Sequence, residues 1–291
     1  MNLGRNRLEK TMRIFFLLCG IAAIVAVMGI TIYMIISGLP GISEIGIQEF
    51  LLGKVWKSTA SEPQFGILPF ILSSVYAAAG AMAIGIPIGL MTAVYLSKVA
   101  RPKVASVLSL AVELLAGIPS VVYGLIGMLV LVPTLMDIFH LSNGTSLLAV
   151  ILVLSVMVLP NIISVSAGAL SAVPEEYEEG SMALGATKME TVFRVSIPAA
   201  RSGIAAGVVL GVGRAIGETM AVMMVAGNVA NMPSLFKSVT LLTTAVAKEM
   251  AYSSGLQREA LFSIALVLFI FILILNVLLN YFLKRGEKYG R

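Results

Sequence analysis

Residues 203–222 read GIAAGVVLGVGRAIGETMAV, a stretch that is apolar except for Arg214, Glu218 and Thr219. A segment of this length and composition can cross a bilayer as a helix. Arg214 would lie about 16 Å along that helix at ~1.5 Å per residue, close to the bilayer midplane. A charge at that depth costs about 3 kcal/mol or more, so it indicates a partner helix or a solute pathway rather than a surface facing lipid.

The spacing of Arg214 and Glu218 leaves two interpretations open. In a continuous helix, residues i and i+4 share one face, so the two side chains could form a structural ion pair within a helix bundle. Alternatively, Arg214 contacts a transported anion while Glu218, with the adjacent Thr219, positions that anion or tunes its charge. Glu113 lies in another apolar segment and has the same ambiguity between a protonated, hydrogen-bonded carboxyl and a pathway residue.

The composition predicts a polytopic membrane protein. The 291 residues are 58% hydrophobic and 12% charged, with a mean hydropathy of +0.99. A soluble domain carries about twice that charge. The single cysteine, Cys19, rules out an internal disulfide, and the single histidine, His140, supports neither a metal site nor a proton relay. The basic residues cluster at the ends of apolar segments, which argues against nucleic-acid binding.

Six apolar segments predict an all-α protein with six transmembrane helices. The predicted spans are residues 14–36, 66–96, 104–135, 147–170, 204–230 and 260–283. The first segment is too long for a signal peptide and no Ala-x-Ala-like site closes it, so we interpret it as a retained span. Pro87, Pro119, Pro133 and Pro160 fall inside spans and predict kinks or broken helices.

The distribution of basic residues predicts the orientation. Fourteen of the twenty Lys and Arg residues fall on one side of the spans and five on the other, with Arg214 inside a span. This asymmetry places both termini and the connection 171–203 in the cytoplasm. Small residues recur every fourth position in two spans and predict close helix packing. These residues are Ala81, Gly85 and Gly89 in the second span, and Gly203, Gly207 and Gly211 in the fifth.

The connection 171–203 is predicted to form two short helices. Pro174 followed by glutamates is a favourable helix start, and Gly185 a favourable end. Tyr177, Met182 and Ala183 fall on one stripe of this first helix. A second helix is expected from Thr187 to Ser196, ending before Pro198. Such a protrusion offers a surface that a soluble partner can bind in a groove, although a solvated helical hairpin without a partner fits the same pattern.

One motif in this connection resembles a known family. Glu179 is followed by five residues, Gly185, nine residues and Val195-Ser-Ile-Pro198. This pattern resembles the EAA loop of ABC importer permeases of type I, with Gly180-Ser181 where two alanines are usual. The resemblance implies that residues 171–203 form a coupling-helix loop. It also implies that Glu179, Ala183, Gly185 and Pro198 serve coupling to an ATPase subunit.

Two further segments, 213–222 and 113–124, resemble the fifth and third spans of phosphate-importer permeases of the PstC type. The resemblance implies a bacterial or archaeal inner-membrane transporter that moves phosphate. The partners it implies are a second permease of the PstA type, an ATPase dimer and an extracytoplasmic phosphate-binding protein. ATP and Mg²⁺ would be bound by the ATPase, and this chain would hold no cofactor.

The residues themselves agree with a non-catalytic permease. The chain has no Gly-rich loop ending in Gly-Lys-Ser/Thr, so ATP hydrolysis is expected in a partner. The planar fork of an arginine suits phosphate oxygens. Two alternatives remain: a permease for another oxyanion such as sulfate or molybdate, and an ion-coupled secondary transporter with Glu113 and Glu218 as proton carriers. An intramembrane enzyme has less support, because the predicted spans contain no histidine.

Overall fold

The computed structural model describes the backbone of residues 3–288 and the side chains of residues 9–278 and 281. The charges used above to predict topology lie partly outside that range, namely Arg291 and the side chains of Arg5, Arg7, Lys284, Arg285 and Lys288. Within it, helices dominate and the one sheet is a two-stranded antiparallel hairpin that pairs Trp56 with Phe65. The expected helical membrane fold is therefore confirmed.

The elements follow one another in a simple order along the chain. The helices are α1 (Leu3–Ile45), α2 (Ile47–Leu52), α3 (Leu68–Val94), α4 (Pro102–Gly117), α5 (Ser120–Ile126), α6 (Val132–Phe139), α7 (Leu147–Ser171), α8 (Glu175–Ala183), α9 (Lys188–Thr191), α10 (Ile197–Ala199), α11 (Arg201–Gly217), α12 (Met220–Val225), α13 (Leu242–Glu249) and α14 (Gly255–Lys288). The strands are β1 (Trp56–Lys57) and β2 (Gln64–Phe65). Wider, π-helical turns follow α3, α5 and α9 at Tyr95–Val99, Gly127–Leu131 and Val192–Ser196, and a 3₁₀ turn follows α13 at Met250–Tyr252.

Five helical segments of the described chain are long and apolar enough to cross a membrane. They are Glu9–Ile45, Leu68–Val99, Ser120–Phe139, Leu147–Ser171 and Gly255–Leu278. The helix Lys188–Ala199 and α11 pass the same test only as a pair bent by 70°, and counting this pair as one span gives six. The number of expected spans is thus matched, but two of them differ from the predicted ranges.

The predicted third span, 104–135, is not one helix. Helix α4 ends at Gly117, and the apolar segment of spanning length begins at Ser120. Ile118 is extended (φ −68°, ψ 126°) because the ring of Pro119 disfavours helical backbone at the residue before it. The hydroxyl of Tyr123 donates a hydrogen bond to the Leu115 carbonyl at 2.7 Å and ties the two sides of the break together.

The predicted fifth span, 204–230, also proves wrong as a continuous helix. Helix α11 ends at Gly217, and Glu218 is extended (φ −70°, ψ 131°). The short helix α12 ends before Gly227 and Asn228, which both have positive φ, so the chain turns away from the helix axis there.

The core is centred on α7, which packs against α3 and α11. The predicted small-residue faces meet at one side chain, the fully buried Ile162. A Cβ added at Gly89 would lie 2.7 Å from Ile162 Cγ2, and one added at Gly211 would lie 3.1 Å from Ile162 Cγ1. Glycine at both positions therefore lets α3 and α11 approach α7 from two sides, as the spacing predicted.

A second core lies where the hairpin β1–β2 packs on α13 and α14. Phe50, Trp56, Phe65 and Phe70 are buried there. Glu249 fixes this region because its carboxylate accepts hydrogen bonds from Trp56 Nε1 (3.2 Å), Ser58 Oγ (2.9 Å) and Gln257 Nε2 (3.1 Å). By contrast, no side chain between Glu9 and Ile30 on α1 is buried, whereas the later turns of α1 pack on α14 at Gly38 and Gly41.

Candidate functional site

Arg214 lies on the last turn of α11 and lines a cavity of about 510 Å³. Two other polar side chains line the same cavity, Asn161 from α7 and Asn276 from α14. The rest of the wall is apolar or small: Ala206, Val209, Leu210 and Gly213. An apolar cavity with a few convergent polar groups is the usual form of a small-ligand site.

Glu218 does not share a helix face with Arg214, so that expectation is wrong. It follows the end of α11, where the backbone is extended, and its carboxylate and the Arg214 guanidinium do not form an ion pair. One carboxylate oxygen instead accepts the Ala221 N–H at 3.1 Å and caps the start of α12, while the Glu218 carbonyl accepts the Thr243 hydroxyl at 3.0 Å. Glu218 therefore holds the break between α11 and α12 in place.

The other two predicted pathway residues lie apart from the cavity. Thr219 sits within the break, and its hydroxyl donates a hydrogen bond to the Gly217 carbonyl at 3.3 Å. Glu113 is exposed on α4. Of the four residues singled out for the pathway, only Arg214 lines the cavity.

Sequence reasoning missed Asn161 and Asn276. Each interrupts an otherwise apolar run, VLPNII and LILNVL, and a polar residue inside a span is by default a functional candidate. That signal was present in the sequence. What the sequence lacked was any sign that the two amides line the same cleft as Arg214, since the three residues belong to three different helices.

The loop 171–203 has the predicted helix–glycine–helix form. Helix α8 follows Pro174 and ends at Ala183, and Gly185 has φ +92° as expected of a helix-terminating glycine. Thr187 and Glu190 form a reciprocal capping box that starts the next helix. The expected end before Pro198 is wrong, because the helix continues to Ala199. The π-helical turn at Val192–Ser196 widens the backbone just ahead of Pro198, which accommodates its ring and its missing N–H.

The residues implied in coupling are all accessible. Glu179, Ala183, Gly185 and Pro198 are exposed. The apolar side chains of α8 and the residue after it are exposed as well, with Tyr177 and Met182 about half exposed and Leu184 92% exposed. We define Tyr177, Met182 and Leu184 as the apolar docking face. Exposed apolar groups concentrated on a short helix are typical of a protein-binding surface.

A charged network anchors α8 to the membrane helices. Lys98, in the π-helical turn after α3, forms an ion pair with Glu178, and the buried Ser196 hydroxyl donates a hydrogen bond to the same carboxylate at 2.8 Å. Partial burial alone would raise the pKa of Glu178. The hydrogen bonds from Lys98 and Ser196 and the charges of Lys98 and Lys188 outweigh it and hold that pKa below its usual value.

Comparison with known proteins agrees with this arrangement. Residues 85–288 match the family described as the binding-protein-dependent transport system inner membrane component. The chain is 39% identical to a probable ABC transporter permease, YqgH, of Bacillus subtilis, over 92% of this chain and 89% of that protein. It is 35% identical to the phosphate transport system permease protein PstC of Haemophilus influenzae, over 83% and 82% of the two chains. It is 32% identical to a probable phosphate transport system permease protein PstC of Methanocaldococcus jannaschii, over 87% and 86%.

Solved structures share the fold at lower identity. A chain of the inward-facing MetNI methionine ABC transporter matches with a TM-score of 0.62 at 20% identity, covering 76% of this chain and 95% of the other. A chain of the bacterial alginate ABC transporter, in complex with an alginate-bound periplasmic protein, matches with a TM-score of 0.58 at 15% identity, covering 97% and 96%. The chain therefore belongs to the family of binding-protein-dependent transport system inner membrane components, and it is a multi-pass permease of an ABC transporter.

Proposed function

We propose that this chain is a permease subunit of an ATP-driven phosphate importer. The observation that carries the proposal is the position of Arg214, which lines an open cleft between α7, α11 and α14. No other Lys or Arg falls within the predicted spans, so Arg214 supplies their only permanent positive charge. The identities of 32–35% to proteins named as phosphate transport permeases support phosphate as the anion.

The chemistry of phosphate suits this site. An anion crossing hydrocarbon needs an aqueous path with a compensating positive group, and guanidinium offers paired N–H donors that match two phosphate oxygens. The cavity volume of about 510 Å³ exceeds what one phosphate needs, which leaves room for part of its hydration shell. In this proposal, the path is completed by a second permease of the PstA type.

The energy in this proposal comes from an ATPase dimer that binds ATP and Mg²⁺ on the cytoplasmic side. The exposed docking face of α8 and the exposed Glu179 form the surface for that partner. Closure of the dimer would move α8, and the Lys98–Glu178 ion pair would pass the movement to α3. Both termini are cytoplasmic, and an extracytoplasmic phosphate-binding protein delivers the anion from the other side.

The test is uptake by the assembled transporter in proteoliposomes. The chain is purified with its second permease and ATPase, and the binding protein is added outside. We expect uptake of labelled phosphate to require ATP inside the vesicles and to disappear in Arg214→Gln. Uptake driven by an ion gradient without ATP would favour a secondary transporter, and preferred uptake of sulfate or molybdate would assign another oxyanion.

One observation weighs against the proton-carrier alternative. Glu218 accepts the Ala221 N–H within the break, and Glu113 is exposed on a different helix. Neither carboxylate lines the Arg214 cavity. This arrangement gives neither carboxylate a direct contact through which it could couple a proton to an anion beside Arg214.

A further inference from the structure

The cavity beside Arg214 brings together three polar side chains at a similar depth. Asn161, Arg214 and Asn276 lie between ten and thirteen residues from Ser171, Arg201 and Lys288, the helix ends predicted to be cytoplasmic. At ~1.5 Å per residue, each is about 15–20 Å from that end of its helix. The three groups therefore form one polar layer in an otherwise apolar part of the membrane domain.

These polar groups have no hydrogen-bond partners within the described chain. No hydrogen bond joins either amide or the guanidinium to another described residue. Asn161 and Arg214 are partly buried, and Asn276 is exposed on the surface of this chain. At bilayer depth, lipid offers no hydrogen-bond partner, so polar side chains there normally face a polar pathway or another protein surface. Three polar side chains along one cleft therefore indicate that the cleft takes a polar ligand.

The two amides add a capability that Arg214 lacks. Guanidinium only donates hydrogen bonds, so Arg214 can attract any oxyanion. An asparagine amide both donates, through Nδ2, and accepts, through Oδ1. Near neutral pH, phosphate keeps at least one acidic O–H group, whereas sulfate has none. Only an acceptor can recognise that difference between two tetrahedral anions of similar size.

We propose that Asn161 and Asn276 are specificity-determining residues that accept the O–H of a phosphate held by Arg214. This inference rests on the proposed function and names how the site selects its substrate. The amide oxygens accept from the P–OH group, while the amide N–H groups donate to the unprotonated oxygens. Sulfate would leave the amide oxygens facing an oxygen without a proton, which is repulsive, so phosphate is favoured.

The experiment measures anion binding by the purified complex of this chain, its second permease and the ATPase in lipid nanodiscs. The melting temperature is followed as phosphate, arsenate or sulfate is added, because a ligand that binds the folded state raises it. Arsenate carries the same acidic O–H as phosphate and serves as the matched probe. The nucleotide sites of the ATPase also bind anions. The shift in melting temperature of the Arg214→Gln complex is therefore subtracted from that of wild type, which leaves the part due to binding beside Arg214.

The decisive variants are Asn161→Leu and Asn276→Leu, which keep the approximate size of the side chain and remove its hydrogen bonds. We expect each to raise the half-maximal concentration of phosphate and of arsenate about tenfold, the loss of roughly one hydrogen bond. The half-maximal concentration of sulfate should rise less, because sulfate loses only the N–H donor and is relieved of the repulsion from the amide oxygen. Asn161→Ser retains an acceptor and is expected to recover part of the preference. Gly213→Ala is the control, because its added Cβ meets no atom within 4 Å and carries no hydrogen-bonding group. Any effect of this variant should therefore be the same for all three anions.

Each result bears on a separate claim. Equal shifts for phosphate and sulfate in the leucine variants, or no shift, would overturn the role of the asparagines. The same holds if wild type and Arg214→Gln respond identically to every anion. Failure of the wild-type complex to import phosphate with ATP in the proteoliposome assay would instead overturn the proposed function. A complex that imports phosphate but shows no preference at the cavity loses only the further inference.

Discussion

Lys98 and Glu178 are eighty residues apart in the chain and form an ion pair that joins the end of α3 to α8. Lys98 lies in the π-helical turn Tyr95–Val99, and Glu178 lies one residue before Glu179, which the sequence motif predicts to serve coupling. The Ser196 hydroxyl donates to the same carboxylate and adds a third segment to the junction. The Lys98–Glu178 ion pair therefore links α8 directly to the segment that follows α3, the helix that packs on α7.

Breaking this contact is expected to uncouple transport from ATP hydrolysis. Glu178→Gln and Lys98→Met should each destabilise the junction by about 1 kcal/mol, since both side chains keep some access to screening ions. The measurement is phosphate imported per ATP hydrolysed in proteoliposomes. Glu176→Gln, an exposed acid on the same helix, is the matched control and should not change the ratio. A charge-reversed pair, Lys98→Glu with Glu178→Lys, should recover part of it, and coupling of the single variants equal to wild type would contradict this role.

The lowered pKa of Glu178 predicts a pH dependence with a definite sign. Because its folded-state pKa is depressed below the ordinary 4.5, the ionised carboxylate stabilises the folded state above that value, and the stabilisation is lost as pH falls through the folded-state pKa. The difference in melting temperature between wild type and Glu178→Gln should therefore be constant from neutral pH to about pH 5 and shrink below pH 4.5. A difference that persists unchanged to the lowest accessible pH would exclude the carboxylate charge as its source.

Two glycines of the loop 171–203 should change stability in opposite directions when replaced by alanine. An added Cβ meets nothing within 4 Å at either Gly180 or Gly185, so only the backbone distinguishes them. Gly180 lies inside α8, where alanine should stabilise by about 0.5–1 kcal/mol. Gly185 has φ +92°, where alanine should destabilise by about 1–2 kcal/mol and valine by more. Melting of the permease pair without the ATPase tests both, and equal effects of the two substitutions would be incompatible with a left-handed Gly185.

Loss of the Gly185 conformation should also weaken the ATPase contact. Gly185→Val is expected to insert normally but to recover less ATPase on co-purification and to lower ATP-driven uptake. Normal recovery and uptake in this variant would mean that residues 171–203 are not the coupling loop.

The predicted orientation can be tested by cysteine labelling in a Cys19→Ser background. Ala60 and Leu184 are suitable positions because both are exposed, whereas Ser58 donates to Glu249 and Thr187 caps a helix. An impermeant thiol reagent outside intact cells should label Ala60→Cys and should label Leu184→Cys only after the membrane is opened. The reverse pattern would invert the topology and place α8 away from any cytoplasmic ATPase.

Local rules predicted the parts of the fold that depend on neighbouring residues. The left-handed Gly185 and the glycine faces on α3 and α11 follow from backbone sterics and a four-residue spacing. The helix break at Glu218 is not predictable from the local sequence. Two hydrogen bonds of Glu218 stabilise it: its carboxylate accepts from the Ala221 N–H, and its carbonyl accepts from the Thr243 hydroxyl. Thr243 is distant in sequence, so only the tertiary structure supplies the second bond. The placement of Asn161, Arg214 and Asn276 along one cleft depends on how three helices pack, which no local pattern encodes.

The geometry of α11 and α12 makes a distinct prediction for Arg214 and Glu218. A structural ion pair would let the double variant Arg214→Gln/Glu218→Gln recover what either single variant loses, because no unpaired charge remains. The two groups are not paired, and Glu218 serves the α12 cap instead.

A glutamine at 218 still presents an oxygen to the Ala221 N–H, so Glu218→Gln should keep part of its phosphate uptake. Arg214→Gln should lose it, and Arg214→Lys should retain little because it keeps the charge but not the fork. Uptake by the double variant, normalised to assembled complex, should equal that of Arg214→Gln alone. Near-normal uptake by the double variant would reduce Arg214 to one half of a structural bridge that forms in another state of the transporter, and the anion contact of this chain would then have to lie elsewhere.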